Sequence, residues 1–339
     1  MTQHLRAVLA GCGGISRAWL KPAAAIEGLE IVGLVDLLPE TARARADEFD
    51  LRVPVESSLP RMLDATQPDI VFDCTIPEAH VDVTLEALAR GCHVLGEKPL
   101  ADTMENARRM VAAAEQSGKV YAVMQNRRFD ARIRAVKAML ESGAIGPLTT
   151  LHSDFFLAPH FGGFRDEMQH VLLLDMAIHT FDQARLLSGA DPVSVYCKEW
   201  NPHGSWYAHG ASAVAVFEMT GGIVYTYRGS WCAEGLSTTW EADWRMIGSR
   251  GSAKWDGADG MAAEAAGEVE GFSAKTYPVD FIPYTGPKTG GHGGLIRDFV
   301  ACIREGRVPE TICTDNIKSL AMVFGAIESA ESGAPVNIG

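Results

Sequence analysis

The hydrophobic pattern in the first third of the chain alternates between short apolar runs and stretches with helical spacing. The apolar runs have the length of strands, and each is followed by a helical stretch. The runs are Arg6 to Ala10, Glu30 to Val35, Val53 to Val55, Asp69 to Cys74, Cys92 to Gly96 and Val120 to Gln125. Because strands that alternate with helices usually pair in parallel, this region predicts a doubly wound parallel sheet.

From Leu148 onward the alternation of strand and helix gives way to a series of strands. These are Leu148 to Phe156, Pro192 to Cys197, Ser212 to Glu218, Ile223 to Trp231, Trp240 to Gly248 and Ser252 to Trp255. In the fifth strand, Trp240, Ala242, Trp244 and Met246 share one face, and the residues between them are charged. This alternation predicts a sheet with one covered and one solvent-facing side.

The length of the chain and the change of pattern predict two domains. A chain of 339 residues is long for a single hydrophobic core. We expect a first domain of residues 1–122 and a second domain of residues 123–339. The second domain is expected to close with helices at Leu295 to Glu305 and Asp315 to Ser332.

A glycine turn joins the first predicted strand to the first helix. The segment Gly11-Cys12-Gly13-Gly14-Ile15-Ser16 directly follows that strand, and Asp36 ends the second strand. Gly11 permits a tight turn, Gly13 lets the backbone approach a pyrophosphate, and the helix start offers unpaired N–H groups. Asp36 follows Gly13 by roughly the 20 residues expected for an acid that binds the adenosine ribose. This order predicts a dinucleotide-binding Rossmann domain, although Ser16 replaces the third glycine; a turn without a nucleotide is the alternative.

The carboxylate of Asp36 favours NAD over NADP as the cofactor. It would repel a 2′-phosphate, and the next two residues, Leu37 and Leu38, supply no cation. We interpret Arg43 as a solvated helix residue, with a phosphate ligand as the alternative.

Further polar residues follow the later strands of the parallel sheet, where ligands bind in open α/β folds. Pro99 ends one strand, because proline cannot donate to a strand ladder, and so leaves Lys98 at the carboxyl edge. We expect His80 at the same edge, with a residue that contacts only solvent as the alternative. The residues expected to bind the cofactor here are Cys74, Thr75, Pro77, His80, Glu97, Lys98 and Asn126.

One predicted helix of the second half, Glu167 to Leu187, carries an acid and an imidazole four residues apart. Asp175 and His179 lie on one face of such a helix, so the carboxylate can orient the ring. A surface ion pair or a satisfied core histidine is the alternative. The apolar neighbours favour a functional site, because a charged pair in such surroundings needs a partner or a cavity.

Composition excludes several classes of function. Acidic residues outnumber basic ones by 43 to 30 and no dense basic block occurs, so nucleic acid is not an expected partner. No apolar segment approaches the ~18 residues of a membrane span. Met1 leads straight into the first strand without a cleavable leader, so we expect a cytoplasmic protein. The seven cysteines lack the spacing of metal ligands and are expected to be buried in a reducing compartment.

The combined motifs resemble those of the Gfo/Idh/MocA oxidoreductases over essentially the whole chain. The motifs are the glycine turn, Asp36, the Glu97-Lys98-Pro99 strand end, Asp175 with His179, and the strand-rich second half. The resemblance implies a Rossmann domain followed by an open, mainly antiparallel sheet with helices on one face. It implies that Lys98, Asp175 and His179 converge at the nicotinamide, and that the Lys98–Pro99 peptide is cis. It also implies a homodimer or homotetramer formed through the second sheet.

The chemistry of these residues predicts a dehydrogenase that acts on a secondary alcohol. His179 is expected to be the general acid/base, and Asp175 its orienting partner or a ligand for a substrate hydroxyl. Lys98 is expected to hydrogen-bond the reacting oxygen. No metal is expected, although the spacing of Asp175 and His179 is also compatible with one.

The resemblance implies a sugar, cyclitol or sugar derivative as the substrate. The family has two glycines where this chain has His170 and Val171, so the imidazole of His170 is expected to touch substrate. Tyr225, Tyr227 and Trp231 share one face of a strand, where their rings suit either a sugar or core packing. The expected substrate contacts are Lys98, Arg128, His170, Asp175, His179 and Trp231.

Two other functions stay open on the sequence. One is a glycosidase or epimerase that retains NAD and oxidises its substrate only transiently. The other is a regulator that binds a dinucleotide without turnover. The sequence does not separate the first of these from a dehydrogenase.

Overall fold

The computed structural model describes residues 3–338, which divide into two compact units. Unit 1 comprises the chain up to Phe129 together with Pro287–Leu320. Unit 2 comprises Asp130–Gly286 and the chain from Ala321 onward. Residues 1 and 2, which begin the first expected domain, and residue 339, which ends the second, lie outside the described residues.

The strands of the structure lie close to those that the hydrophobic pattern predicts. In unit 1 they are β1 Leu5–Ala10, β2 Leu29–Val35, β3 Val55–Glu56, β4 Ile70–Asp73, β5 His93–Gly96 and β6 Tyr121–Val123. In unit 2 they are β7 Leu148–Phe156, β8 Pro192–Trp200, β9 Ser212–Met219, β10 Ile223–Ser230, β11 Asp243–Gly248, β12 Gly251–Trp255, β13 Met261–Glu270, β14 Ser273–Pro278 and β15 Val336–Asn337.

The helices alternate with strands in the first part of the chain and are fewer afterwards. They are α1 Ser16–Ala23, α2 Pro39–Glu48, α3 Leu59–Thr66, α4 Pro77–Ala89, α5 Met104–Ser117, α6 Ala131–Glu141, α7 Ile178–Ser188, α8 Gly291–Glu305 and α9 Cys313–Ser332. Short 3₁₀ turns occur at Asn126–Phe129 and Gly163–Arg165, and a π-helix at Leu172–Ala177 directly precedes α7.

The six strands of unit 1 form a parallel sheet in the order β3-β2-β1-β4-β5-β6. This is the order of a doubly wound dinucleotide-binding sheet, and it confirms the predicted parallel fold. The strand order reverses between β1 and β4, so the glycine turn after β1 lies at the point where such sheets bind ligands.

A single domain boundary at residue 122 was expected, but unit 1 also includes a second segment, Pro287–Leu320. The apolar face of α8, including Leu295 and Phe299, is buried in the same core as Leu9, Trp19 and Phe72. Helical spacing in the sequence shows that α8 has an apolar face but does not show which core it joins. The functional division into residues 1–122 and 123–339 stays a prediction.

The nine strands of unit 2 form one mixed sheet in the order β14-β13-β12-β11-β7-β10-β9-β8-β15. Strands β7 and β10 pair in parallel and the other neighbours pair antiparallel, which confirms the mainly antiparallel sheet. Phe181 of α7 packs edge-on against Phe217 and Tyr227, with ring centroids 4.9 and 5.2 Å apart. Tyr225, Tyr227 and Trp231 are all buried in this core, as the core-packing alternative predicts.

The predicted helix from Glu167 to Leu187 is wrong in its first turn. Residues 166–167 and 169–170 form turns, and His170 has a left-handed φ of +51°, which a right-handed helix cannot continue through. The helical part begins at Val171 and passes through the π-helix Leu172–Ala177. Asp175 therefore lies in the π-helix, and His179 lies in α7. No glycine or proline marks this break in the sequence.

The predicted strand from Trp240 to Gly248 is also too long at its start. Ala242 has a φ of +64°, so β11 begins only at Asp243. Trp244 and Met246 are buried while Asp243 and Arg245 are exposed, as the alternation predicts. Trp240 lies outside the strand and is exposed, because the backbone at Ala242 interrupts the alternation.

Most cysteine side chains are buried, as the sequence predicts. The seven cysteines, all within residues 3–338, form no disulfide, and six of them are buried. Burial raises the pKa of the Cys12 thiol to about 12, so this thiol stays protonated and unreactive. Among residues 3–338, no helix combines the length and the apolar character that crossing a membrane requires.

Candidate active site

The glycine turn after β1 is packed against the end of β4 on one side and open on the other. Gly11 has a φ of +88°, and a Cβ there would lie 2.6 Å from backbone atoms of Cys74. Because backbone cannot move aside, only glycine fits. At Gly13 and Gly14, by contrast, no atom lies within 4 Å of a Cβ. This open backbone at the start of α1 leaves room for the pyrophosphate of a dinucleotide.

Asp36 connects the glycine turn to the loop that follows β2. Its Oδ2 accepts the Cys12 N–H over 2.8 Å, and its Oδ1 accepts the Leu38 N–H over 3.0 Å. An ionised carboxylate has about four acceptor positions, so two remain for the hydroxyls of a ribose. The position and acceptor capacity of Asp36 therefore fit the ribose contact expected from the sequence.

Four exposed apolar side chains lie at the carboxyl edge of the parallel sheet or at the start of α1. They are Leu37, Leu38, Ile76 and Ile15. Leu37 is 87% exposed and Ile76 is 65% exposed, which is unusual for large aliphatic side chains. In the sequence, Leu37 and Leu38 were notable only because neither carries a positive charge. Leu37 and Leu38 directly follow Asp36, so two exposed apolar side chains lie beside the candidate ribose contact.

His80 is buried beside Asp73 and does not contact only solvent, so that alternative is wrong. Its Nδ1 lies 2.9 Å from Asp73 Oδ2, and Asp73 Oδ1 accepts the hydroxyl of Thr75. Burial lowers the pKa of His80, but the charge and hydrogen bond of Asp73 outweigh burial, so the net pKa is raised. The pair fixes the loop after β4, which carries Cys74, Thr75 and Pro77.

Glu97 and Lys98 follow β5, and the Lys98–Pro99 peptide is cis, as the resemblance implied. Glu97 is buried; its Oε1 accepts the indole N–H of Trp19 over 2.7 Å and lies 3.7 Å from Nε2 of His292. Burial raises the pKa of Glu97, but His292, Trp19 and Lys98 outweigh burial and lower it. The Lys98 N–H donates to Glu97 Oε2 over 3.2 Å, so the Glu97 side chain fixes the backbone of Lys98.

Arg128 is buried in unit 1 and faces two carboxylates of its second segment. Its guanidinium nitrogens lie 3.8 Å from Glu310 Oε1 and 3.5 Å from Asp315 Oδ2. Asn126 is half-buried at the start of the same 3₁₀ turn. The expected roles of Arg128 in substrate binding and of Asn126 in cofactor binding stay predictions.

In unit 2, Asp175 forms an ion pair with Arg165. Arg165 Nε donates to Asp175 Oδ2 over 2.8 Å, and the guanidinium lies 5.0 and 4.7 Å from the ring centroids of Phe161 and Phe164. His179 is buried in the first turn of α7. Sequence reasoning missed Arg165; an arginine beside two phenylalanines in the loop before Asp175 was the available signal.

The imidazole of His170 is held by two carboxylates of unit 2. Its Nδ1 lies 2.5 Å from Glu199 Oε2 of β8, and its Nε2 lies 3.4 Å from Glu331 Oε1 of α9. The hydrogen bond to Glu199, together with the charges of both carboxylates, raises the pKa of His170 against the effect of burial. Both ring nitrogens thus face carboxylates of unit 2, and the expected substrate contact stays a prediction.

Trp231 is buried at the end of β10 in a group of aromatic rings. Its ring centroid lies 5.5 Å from that of Phe155, 5.6 Å from Trp240 and 5.9 Å from Phe161. The indole Nε1 has no hydrogen-bond partner among the residues that the structure describes. A buried donor of this kind is costly, which is consistent with the expected role of Trp231 as a ligand contact.

Comparison with known families settles the ancestry of both units. A model described as the oxidoreductase family with an NAD-binding Rossmann fold matches residues 5–125. The model of the GFO/IDH/MocA C-terminal domain matches residues 133–254. The chain belongs to the Gfo/Idh/MocA family of oxidoreductases. This confirms the family resemblance predicted from the motifs.

Two relatives and one solved structure of this type match almost the whole chain. An uncharacterized protein, y4oX of Sinorhizobium fredii, is 30% identical over 97% of this chain and 94% of its own. A D-apiose dehydrogenase of Paraburkholderia graminis is 27% identical over 99% of this chain and 90% of its own. An oxidoreductase from Agrobacterium radiobacter, solved with NAD+, L-tartaric acid and magnesium, is 22% identical with a TM-score of 0.87, covering 99% of each chain.

Membership of the Gfo/Idh/MocA family establishes the general activity. The chain is an enzyme, an NAD-binding oxidoreductase of the sugar dehydrogenase type. The structural likeness confirms the fold of a parallel Rossmann sheet followed by a mainly antiparallel sheet.

Proposed function

We propose that this protein is an NAD-dependent dehydrogenase that oxidises a secondary alcohol of a sugar, a cyclitol or a sugar derivative. The observation that carries the proposal is the open glycine turn in unit 1, where Gly13 and Gly14 leave space beside the start of α1. The adjacent Asp36 has acceptor positions left for a ribose. These features fit a dinucleotide, and NAD supplies a hydride acceptor when bound.

The environment of Asp36 supports NAD over NADP. Its carboxylate would repel a 2′-phosphate, and its exposed neighbours Leu37 and Leu38 offer no compensating charge. Arg43 is exposed on α2, in agreement with its interpretation as a solvated residue.

We propose Lys98, Asp175 and His179 as the catalytic residues. His179 removes the proton of the substrate hydroxyl, because an imidazole has a suitable proton affinity near neutral pH. Lys98 donates a hydrogen bond to the reacting oxygen and offsets the negative charge that develops there. Asp175 orients the imidazole or accepts a hydrogen bond from a second substrate hydroxyl, and Arg165 holds its carboxylate in place.

The aromatic group around Trp231 supports a sugar-like substrate. Aromatic faces suit the C–H surfaces of sugar rings, and the buried indole N–H of Trp231 offers a donor for a hydroxyl. Phe161 and Trp240 of the same group are exposed, so a ligand in unit 2 can reach them. These features support the proposal of a sugar-like small-molecule substrate.

The test is to mix purified protein with NAD, or in parallel with NADP, and a panel of cyclitols, aldoses and anhydro-sugars, and to follow the reduced-nicotinamide absorption band. Net NADH with one group of compounds is the expected result. If no compound gives NADH while NAD remains bound to the purified protein, the proposal is wrong. The protein is then either an enzyme that oxidises its substrate only transiently or a non-catalytic regulator.

We also propose that the protein is a homodimer or homotetramer formed through the solvent-facing side of the unit 2 sheet, and that it acts in the cytoplasm. Tyr196, Trp200, Val216 and Val224 of strands β8 to β10 are large, apolar and exposed. Tyr196 and Val216 are register partners on this side. Exposed apolar side chains of this size are enriched at interfaces, and a second copy of the chain offers a matching surface. Seven unpaired cysteines suit a reducing compartment.

A further inference from the structure

Arg45 of α2 is buried beneath the glycine turn. It is 6% exposed, and its guanidinium points at the two central carbonyl groups of the turn. Nη2 donates to the Gly13 oxygen over 3.0 Å and to the Cys12 oxygen over 3.2 Å. Nε also donates to the Cys12 oxygen, over 3.3 Å. A buried arginine side chain therefore holds both carbonyls of the segment that would face the pyrophosphate.

Ser16, which stands where the Rossmann fingerprint has its third glycine, binds the same carbonyl. Its hydroxyl donates to the Gly13 oxygen over 2.6 Å, and its N–H donates to it over 3.2 Å. The side chain of Ser16 is buried. The Gly13 carbonyl thus receives hydrogen bonds from Arg45 and from Ser16, and the departure from glycine has a structural use.

The direction of these bonds fixes where the N–H groups of the turn point. In a planar trans peptide, the carbonyl oxygen and the following N–H point in opposite directions. Because the Cys12 and Gly13 carbonyls turn inward to Arg45, the N–H groups of Gly13 and Gly14 turn outward. The space outside these two glycines is open. A pyrophosphate placed there meets N–H groups that are already aligned.

The glycine turn has charged side chains of both signs beside it, and the guanidinium of Arg45 is the buried cation. Arg45 Nη1 pairs with Glu48, and Glu48 Oε1 also accepts from Arg17 Nε over 2.7 Å. Asp36 also lies at the turn, where it accepts the Cys12 N–H, so two guanidinium groups are balanced by two carboxylates. The closer guanidinium is shielded from solvent, so its attraction for an anion is screened less than that of a surface charge.

We propose that Arg45 and Ser16 are positioning residues for the pyrophosphate of the dinucleotide. They act through the backbone, by holding the Cys12 and Gly13 carbonyls so that the N–H groups of the turn face the phosphates. The inference rests on the proposed cofactor site. It assigns a role in fixing the conformation of the turn to two side chains that the glycine pattern alone does not require.

The test measures binding of NAD, ADP-ribose and adenosine to the purified protein by calorimetry or ligand-observed NMR. Arg45→Met should weaken NAD and ADP-ribose, which carry the pyrophosphate, by about tenfold, and leave adenosine unchanged. Arg45→Lys should recover part of the loss, because a lysine can still donate to one carbonyl. Arg43→Met removes the same charge from the exposed side of α2 and should change none of the three affinities.

Ser16→Ala removes only the buried hydroxyl and should weaken NAD by a smaller factor, about threefold. It decides the question if Arg45→Met does not fold. The inference is overturned if folded variants bind NAD as tightly as the wild type does. It is also overturned if their affinities for adenosine and ADP-ribose fall equally. In both cases the proposed function stands. A wild-type protein that binds no dinucleotide overturns both.

Discussion

Arg165 and Asp175 form an ion pair within unit 2, with Nε donating to Oδ2 over 2.8 Å. The sequence predicted that Asp175 orients the imidazole of His179 or binds a substrate hydroxyl, and it gave no partner for the carboxylate. The ion pair adds a cation that balances the acid and fixes its direction. Because Phe161 and Phe164 flank the guanidinium, the loop before the π-helix holds Arg165 against Asp175.

Arg165→Met should therefore lower kcat/KM for the sugar-like substrate by about tenfold, because a partly buried carboxylate loses its charge partner. Affinity for NAD, measured on the free enzyme, should not change. Arg165→Lys keeps the charge but not the fork geometry, and should fall between the two. Equal steady-state constants for Arg165→Met and wild type would show that the ion pair has no part in catalysis.

Asp36→Asn should raise the ratio of NADP to NAD use by about tenfold, because the negative charge that repels a 2′-phosphate is removed. The amide oxygen of asparagine can still accept the Cys12 N–H, so the hydrogen bond between the turn and residue 36 is kept. Asp36→Ser, which shortens the side chain, gives a second reading of the same charge effect. A ratio that stays the same in both variants would place the adenosine ribose elsewhere.

Stability should depend on pH through His170. Its pKa is raised in the folded state, mainly by the hydrogen bond to Glu199, with Glu331 facing the other ring nitrogen. The stabilisation is therefore fully present below the unfolded pKa of about 6.5, and is lost as pH rises through the higher folded pKa.

His170→Gly is the matched variant for this dependence, because glycine adopts the φ of +51° without strain. The difference in Tm between wild type and His170→Gly should be largest in mildly acidic solution and should shrink as pH rises. A difference that is constant across this range would mean that the ring does not act through its charge.

Tyr196→Glu should shift the protein toward the monomer, because it places a charge beside Val216 on the proposed interface of the unit 2 sheet. Size-exclusion chromatography with light scattering measures the change. Val308→Glu, at an exposed apolar residue of unit 1, is the control and should leave the mass as it is. An unchanged oligomer in Tyr196→Glu would place the interface on another surface.

The parts of the fold with local signals were predictable from the sequence. The glycine turn, Asp36 and the proline after Lys98 depend on neighbouring residues, so strand, turn and helix follow from short patterns. The parallel order of unit 1 then follows from the alternation of elements.

The parts that depend on distant residues were not predictable. The sequence shows Arg45 as an ordinary helix residue, and only the tertiary fold brings its guanidinium under the glycine turn. His170 adopts its left-handed backbone without any glycine, and carboxylates from β8 and α9 hold its ring. Helix α8 joins the core of unit 1 although its apolar spacing would suit either core.

Transfer of deuterium tests the central claim most directly. A substrate found with the sugar panel is labelled with deuterium at the carbinol carbon and incubated with NAD, and the product cofactor is analysed by mass spectrometry. The account predicts deuterated NADH in step with oxidation of the sugar, formed about a hundredfold more slowly by Lys98→Met with similar NAD affinity. Product formed without deuterium in the nicotinamide, or an unchanged rate in Lys98→Met, would contradict it.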